Sequence, residues 1–172
     1  MKVKNVLLLG GAGYIGTHAA VYLSNNNYKV SIVDNFSNSK KKYINRMEKI
    51  TKNKVDIHNF DIKNSKKLTN LIKNNRVESV IHFAAFKSAE ESMINPHKYY
   101  SNNINCTLSL LKAVSNSNCR NILFSSSACI YGRPKKNPIA EFSDLNFENV
   151  YGHTKLISEE VIKSFLSIKN KK

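Results

Sequence analysis

Tyr151 and Lys155 stand four residues apart in the run Tyr151-Gly152-His153-Thr154-Lys155. On a helix that spacing puts both side chains on one face, one turn apart. A tyrosine hydroxyl ordinarily titrates at about 10, and a lysine ammonium beside it favours the phenolate. The pair can then act as a general base near neutral pH. Taken alone, such a pair is common on solvated helix surfaces. What gives it weight is a second cluster, Ser125-Ser126-Ser127, directly after the apolar run Asn121-Ile122-Leu123-Phe124. Ser127 can hydrogen-bond the substrate hydroxyl that the tyrosine deprotonates and relay its proton. The plainer reading of these serines is that of loop hydroxyls capping backbone groups.

A third cluster adds to that weight. Gly10, Gly13 and Gly16 punctuate Gly10-Gly11-Ala12-Gly13-Tyr14-Ile15-Gly16, between the apolar run Val6–Leu9 and a helix-like stretch from His18 to Asn25. Strand, glycine turn and helix in that order form a phosphate cradle. Gly10 allows the tight turn, Gly13 lacks the Cβ that would hold a pyrophosphate away, and Gly16 lets helix and strand pack closely. The amides and dipole at the start of the helix attract the phosphates. The spacing is Gly-x-x-Gly-x-x-Gly rather than the more familiar Gly-x-Gly-x-x-Gly. About 20 positions on, Asp34 ends a second apolar run, where a carboxylate can hold both ribose hydroxyls of the adenosine half. It would also repel a 2′-phosphate, which favours NAD over NADP. An aspartate there is otherwise an ordinary turn former.

The elements that must position these groups alternate along the chain. Strands are expected at Val6–Leu9, Lys29–Val33, Val55–Ile57, Ser79–Phe83 and Asn121–Phe124. A lysine-rich loop and helix run from Ser39 to Thr51, and Ser65 is the expected N-cap of a helix through Leu68, Leu71 and Ile72. A long helix starts at Pro96, and a last one covers Tyr151 to Ile168. Strand–helix alternation implies right-handed crossovers: an α/β fold, a Rossmann-type doubly wound parallel sheet with helices on both faces. Ligands in such sheets bind beyond the carboxyl ends of the strands, where every polar cluster just named falls. Residues 1–172 read as one dinucleotide-binding domain.

Composition narrows the setting. A chain of 172 residues with 41% hydrophobic residues is long enough for a real core, and no apolar run approaches the roughly 20 residues of a membrane span. The N-terminus enters the first strand directly, so neither a signal peptide nor membrane association is expected. Cys106, Cys119 and Cys129 are odd in number and lack metal-ligand spacing, which suits reduced thiols in the cytoplasm. No metal site is expected from the scattered histidines. The net charge of +15 could signal nucleic-acid binding. Yet the lysines are spread in small groups with asparagine and without interleaved aromatics, which favours a solvated surface over a nucleic-acid partner.

These clusters, with Tyr131-Gly132, resemble the extended short-chain dehydrogenase/reductases. Within them, Ile81-His82-Phe83-Ala84-Ala85-Phe86-Lys87, Glu91-Ser92 and Pro96-x-x-Tyr99-Tyr100-x-Asn102-Asn103 resemble the UDP-glucose 4-epimerase family. The resemblance covers essentially the whole chain. It implies a tightly held NAD that takes a hydride from C4 of a UDP-hexose while the tyrosine removes the hydroxyl proton. The 4-keto sugar turns over and the hydride returns to its other face, interconverting UDP-glucose and UDP-galactose in galactose metabolism. It further implies cofactor contacts at Tyr14, Ile15, Asp34, Asn35, Phe36, Ser37, Asn38, Ser39, Asp61, Ile62, Phe83, Ala84, Ala85, Phe86, Lys87, Asn102, Tyr151 and Lys155. Substrate contacts fall on Lys87, Ser127 and Tyr151, catalysis on Ser127, Tyr151 and Lys155. A homodimer built on the two long helices is also implied.

The chain departs from that family at Ala85 and Cys106, each in place of a usual glycine, and at Phe60 before Asp61. Ala128-Cys129 stand where related dehydratases carry acidic residues, which argues against elimination. Family members continue through a further strand and a smaller C-terminal sugar-nucleotide domain. That domain is expected to be missing here, leaving the chain inactive alone. Three rivals stay open: an epimerase for another nucleotide sugar such as a UDP-N-acetylhexosamine, a non-catalytic NAD-binding remnant, and a basic nucleic-acid binder.

Overall fold

The computed structural model describes residues 4–52 and 54–169; the end of the basic tail, 170–172, and the first three residues lie outside them. The chain divides into two compact units, Met1–Ala84 with Ser109–Ser125, and Ala85–Leu108 with Ser126–Lys172.

The first unit carries a five-stranded, all-parallel sheet. Its strands are β1 (Asn5–Leu9), β2 (Lys29–Asp34), β3 (Asp56–Asn59), β4 (Ser79–His82) and β5 (Asn121–Phe124), in the spatial order β3-β2-β1-β4-β5. Val6, Leu7, Leu8 and Leu9 of β1 are all buried, as a strand covered on both faces requires. Burying each leucine contributes about 1.5–3 kcal/mol. The chain steps outward from β1 to β2 to β3, then returns to place β4 on the other side of β1. That reversal is a topological switch point, and a crevice opens beyond the strands' carboxyl ends at such a point.

Between the strands run α1 (Tyr14–Asn25), α2 (Lys41–Thr51) and α3 (Ser65–Asn74). Ala20 of α1 and Ile44 and Met47 of α2 join Val6, Leu8, Val30 and Ile32 in one core cluster. Helix α1 begins four residues before the expected His18, because Gly13, in extended conformation, already serves as its N-cap. Helix α3 starts at Ser65, but its cap is Asn64, whose side chain accepts from the Lys67 amide at 3.1 Å. Both residue types cap well, and local sequence does not choose between them. Strand β3 lies one to two residues later than expected, leaving Val55 buried just ahead of it.

The second unit holds α4 (Ala89–Ile94), most of α5 (Pro96–Ser115), a 3-10 turn at Ala128–Tyr131 and α6 (Val150–Lys169). Helix α4 and the 3-10 turn were not expected from the sequence. Both are short, and neither shows an apolar period of its own. Ser88 caps α4 by accepting from the Glu91 amide at 3.2 Å.

Candidate functional site

In the first unit the glycine turn leaves β1 through Gly10, whose φ of +73° favours glycine. A Cβ there would lie 2.7 Å from the Ala84 backbone, so only glycine lets the chain ends of β1 and β4 approach this closely. Gly10 donates to the Val33 carbonyl at 2.8 Å, and Phe83 and Ala84 both donate to the Leu9 carbonyl, at 2.8 and 3.0 Å. A Cβ at Gly13 would meet nothing nearer than the Gly10 oxygen at 3.4 Å, so the space over it is open. No side chain caps the first turn of α1, and Tyr14 and Ile15 at its start are 76% and 59% exposed. An open cradle facing uncapped helix amides fits a dinucleotide pyrophosphate. Gly16 is buried in α1.

Asp34, only 8% exposed, does more than the sequence suggested. One carboxylate oxygen accepts from the Ala12 amide at 3.0 Å. The other accepts from the Phe36 amide at 2.8 Å and the Ser39 hydroxyl at 2.9 Å. Three of its roughly four acceptor directions therefore tie the glycine turn to the loop after β2. In that loop Phe36 has φ +56°, an uncommon conformation for a bulky residue. Asn35 caps the turn by accepting from the Ser37 amide at 3.0 Å, and Asn35, Ser37 and Asn38 are exposed. After β3, Asp61 accepts from the Lys63 amide at 2.9 Å and is half-buried, while Ile62 is buried. The first unit thus gathers Gly10–Gly16, Asp34–Ser39, Asp61–Ile62 and Phe83–Ala84 at the carboxyl ends of its strands.

The second unit contains Ala85, Phe86, Lys87, Asn102, Ser127, Tyr151 and Lys155. Tyr151 and Lys155 lie one turn apart on α6. Lys155 is 4% exposed, and burial pushes its ammonium down to about 8, with the neighbouring Cys106 pulling the other way. The start of α6 is held from several sides. The Tyr151 amide donates to the hydroxyl of the buried Ser92 at 3.0 Å. The Gly152 amide donates to the Asn149 side chain at 2.8 Å. Thr154 donates its hydroxyl to the Tyr151 carbonyl at 2.7 Å. Gly152 sits against the 3-10 turn so closely that a Cβ would lie 2.6 Å from the Cys129 carbonyl oxygen. Ser127 caps that same turn, accepting from the Cys129 amide at 3.2 Å. Beside it, Ser126 Oγ is enclosed and has no hydrogen-bond partner among the described residues.

The buried residues Ser92 and Asn103 escaped the sequence reading as site residues, although both lay in segments singled out for other reasons. Asn102, which the resemblance marked, is half-buried and donates to Asn103 at 3.2 Å. Lys87 is exposed. Among the described residues no group of three His, Cys, Asp or Glu side chains could hold a metal, and no helix is long and apolar enough to cross a membrane.

A parallel sheet with this strand order, a glycine turn at its switch point and an aspartate ending the second strand define a Rossmann-type fold. The chain belongs to the family described as GDP-mannose 4,6 dehydratase, whose model matches residues 7–170. Among curated relatives, the UDP-glucose 4-epimerase of Dictyostelium discoideum is 42% identical over 158 residues, covering 92% of this chain and 46% of that protein. Among solved structures, UDP-glucose-4-epimerase from Stenotrophomonas maltophila, with bound NAD and formylated UDP-arabinopyranose, aligns with a TM-score of 0.93 at 35% identity. The alignment covers 96% of this chain and 49% of that one. The UDP-Glc/GlcNAc 4-epimerase of Campylobacter jejuni aligns with a TM-score of 0.90 at 32% identity, over 98% of this chain and 50% of its own. The chain spans about half the length of the curated relatives it matches.

Proposed function

We propose that this chain is the NAD-binding part of a nucleotide-sugar 4-epimerase, acting on UDP-glucose and UDP-galactose. The observation that carries the reading is the buried Lys155 one turn from Tyr151 on α6, in a chain with an open, uncapped phosphate cradle at the start of α1. Residues 1–172 serve in this reading as a single NAD-binding domain. The turn Gly10–Gly16 and the amides of α1 would hold the pyrophosphate. Asp34, through its remaining acceptor direction, would take a ribose hydroxyl and disfavour a 2′-phosphate. Asn35–Ser39, Asp61, Ile62, Phe83–Lys87 and Asn102 would line the rest.

When bound, the nicotinamide supplies the acceptor for a hydride from C4 of the sugar. The chain's own residues manage the proton. In this reading Tyr151 takes it from the C4 hydroxyl as general base, and Lys155 lends its charge to that step and binds the nicotinamide ribose. Ser127 holds the same hydroxyl and relays the proton, and Lys87 contacts the substrate. Ala128 and Cys129 offer no acid after Ser127, so elimination is not the reaction, although the matching family model is described as a dehydratase.

The same reading places the protein in the cytoplasm and in galactose metabolism, in keeping with Cys106, Cys119 and Cys129 forming no disulfide. It pairs α5 and α6 with their copies in a homodimer, and Leu108, Leu166 and Ile168 on those helices are exposed. A second reading, an epimerase for UDP-N-acetylhexosamines, is favoured by the Campylobacter jejuni neighbour named for both sugars.

The test is a chimera that joins this chain to the second half of the Dictyostelium discoideum relative. It should interconvert UDP-galactose and UDP-glucose, while the 172-residue chain alone should not. A folded chimera that binds NAD and turns over neither UDP-hexose nor a UDP-N-acetylhexosamine would overturn the reading.

A further inference from the structure

One buried side chain in the second unit touches both a loop assigned to the cofactor and the turn that carries the tyrosine. Asn103 is 3% exposed on α5. Its Oδ1 accepts from the Phe86 amide at 2.9 Å, and its Nδ2 donates to the Phe86 carbonyl at 3.1 Å. It grips both polar groups of one backbone residue, as a paired strand would. The same Nδ2 donates to Thr154 Oγ1 at 2.9 Å. Thr154 in turn donates to the Tyr151 carbonyl at 2.7 Å. One turn further along both helices, the Thr107 hydroxyl donates to the Asn103 carbonyl at 3.2 Å and meets the Ser158 hydroxyl at 3.1 Å. With Asn102 donating to its Oδ1 at 3.2 Å, the Asn103 amide has every donor and acceptor engaged.

A surface asparagine would not be buried with all four bonds met, and a purely helix-packing residue would not reach out to a loop 17 positions earlier. We propose that Asn103 is a positioning residue: through Thr154 it holds the loop carrying Phe86 and Lys87 in register with the Tyr151 turn of α6, so that one amide sets both cofactor grip and placement of the base. This rests on the epimerase reading for the roles of Phe86, Lys87 and Tyr151. The physical link between loop and turn does not.

The test uses the 172-residue chain with three variants. Asn103→Asp keeps the shape and the acceptor toward the Phe86 amide but loses both donors. Thr154→Val removes the hydroxyl that passes the link on, and Thr154→Ser restores it. Exchange of the Phe86 amide is followed by NMR, the Tyr151 ring is titrated by carbon-labelled tyrosine NMR, and NAD affinity is measured by calorimetry. Asn103→Asp should speed Phe86 exchange and weaken NAD about tenfold, the size of effect that unmet buried donors and acceptors bring. Thr154→Val should speed exchange at Phe86, which it does not touch, several-fold and shift the Tyr151 titration. Thr154→Ser should behave as the parent.

If Thr154→Val leaves Phe86 exchange unchanged, or moves it without moving the Tyr151 titration, the proposal is overturned. A general loss of melting temperature with both readouts intact overturns it equally, since that marks a structural bond only. A parent chain that binds no NAD removes the cofactor reading, and the exchange and titration results then decide the link by themselves. If Asn103→Asp does not fold, the Thr154 pair decides.

Discussion

Replacing Lys155 with methionine keeps most of the buried stem and removes the ammonium. The folded protein holds that ammonium down to about 8 against an ordinary 10.5, chiefly because burial disfavours the charge. Each tenfold change in proton affinity is about 1.4 kcal/mol, so keeping the amine charged in the folded state costs on the order of 3 kcal/mol. Between about pH 8 and 10.5 the unfolded chain binds the proton and the folded chain does not, so this group makes stability rise with pH across that window. Below about pH 8 both states are protonated and the full cost is present. Lys155→Met should therefore unfold at higher urea concentration than the parent at pH 7, by up to about 3 kcal/mol. The difference should shrink as pH rises toward 10.5. Matched urea titrations at pH 7 and pH 10 measure this, and other lysines cancel in the comparison. A parent-to-variant difference that is the same at both pH values would show that the lysine carries no burial cost. A buried amine held at such a cost is a mark of a functional site.

Asp34→Ala should lower stability as well as weaken NAD binding, because the carboxylate accepts from Ala12, Phe36 and Ser39. Calorimetry should show the preference for NAD over NADP narrowing, and equal affinity of the parent for both would refute the assignment. Gly152→Ala places a methyl group 2.6 Å from the Cys129 oxygen. Overpacking of that kind costs about 1–3 kcal/mol, or a Tm roughly 2–12 °C lower, and an unchanged Tm in a thermal melt would contradict the packing. In the chimera, Tyr151→Phe should retain NAD and lose about 10²–10⁴-fold in turnover; activity within twofold of the parent would assign the proton transfer elsewhere. Light scattering at tens of micromolar should show a dimer if α5 and α6 pair with their copies, and a monomer would remove that proposal.

The central frame was legible because its signals are local. The runs that became β1, β2 and β5 are short and predominantly apolar, the glycine spacing is contiguous, and Tyr151 and Lys155 are one helical turn apart. What stayed hidden depends on contacts between distant residues. Ser92 meets Tyr151 across 59 positions and Asn103 meets Thr154 across 51, and a polar residue buried for such a bond looks like any surface serine or asparagine. Asn102 and Asn103 are neighbours in sequence, yet only the direction of α5 decides which one is buried. Asp34 was legible as a candidate ligand group from its place after β2. Its three protein donors were not, since two of them come from the conformation of the loop that follows. The burial of Lys155 was equally invisible, because a lysine is ordinarily exposed.

The most direct test of the account is a calorimetric titration of the purified 172-residue chain with NAD, set beside a titration with NADP. One NAD should bind per chain, with NADP bound distinctly more weakly, and that preference should narrow in Asp34→Ala. No heat of binding with a folded chain, or equal affinity for the two nucleotides, would contradict the assignment of the turn Gly10–Gly16 and Asp34 as a dinucleotide site.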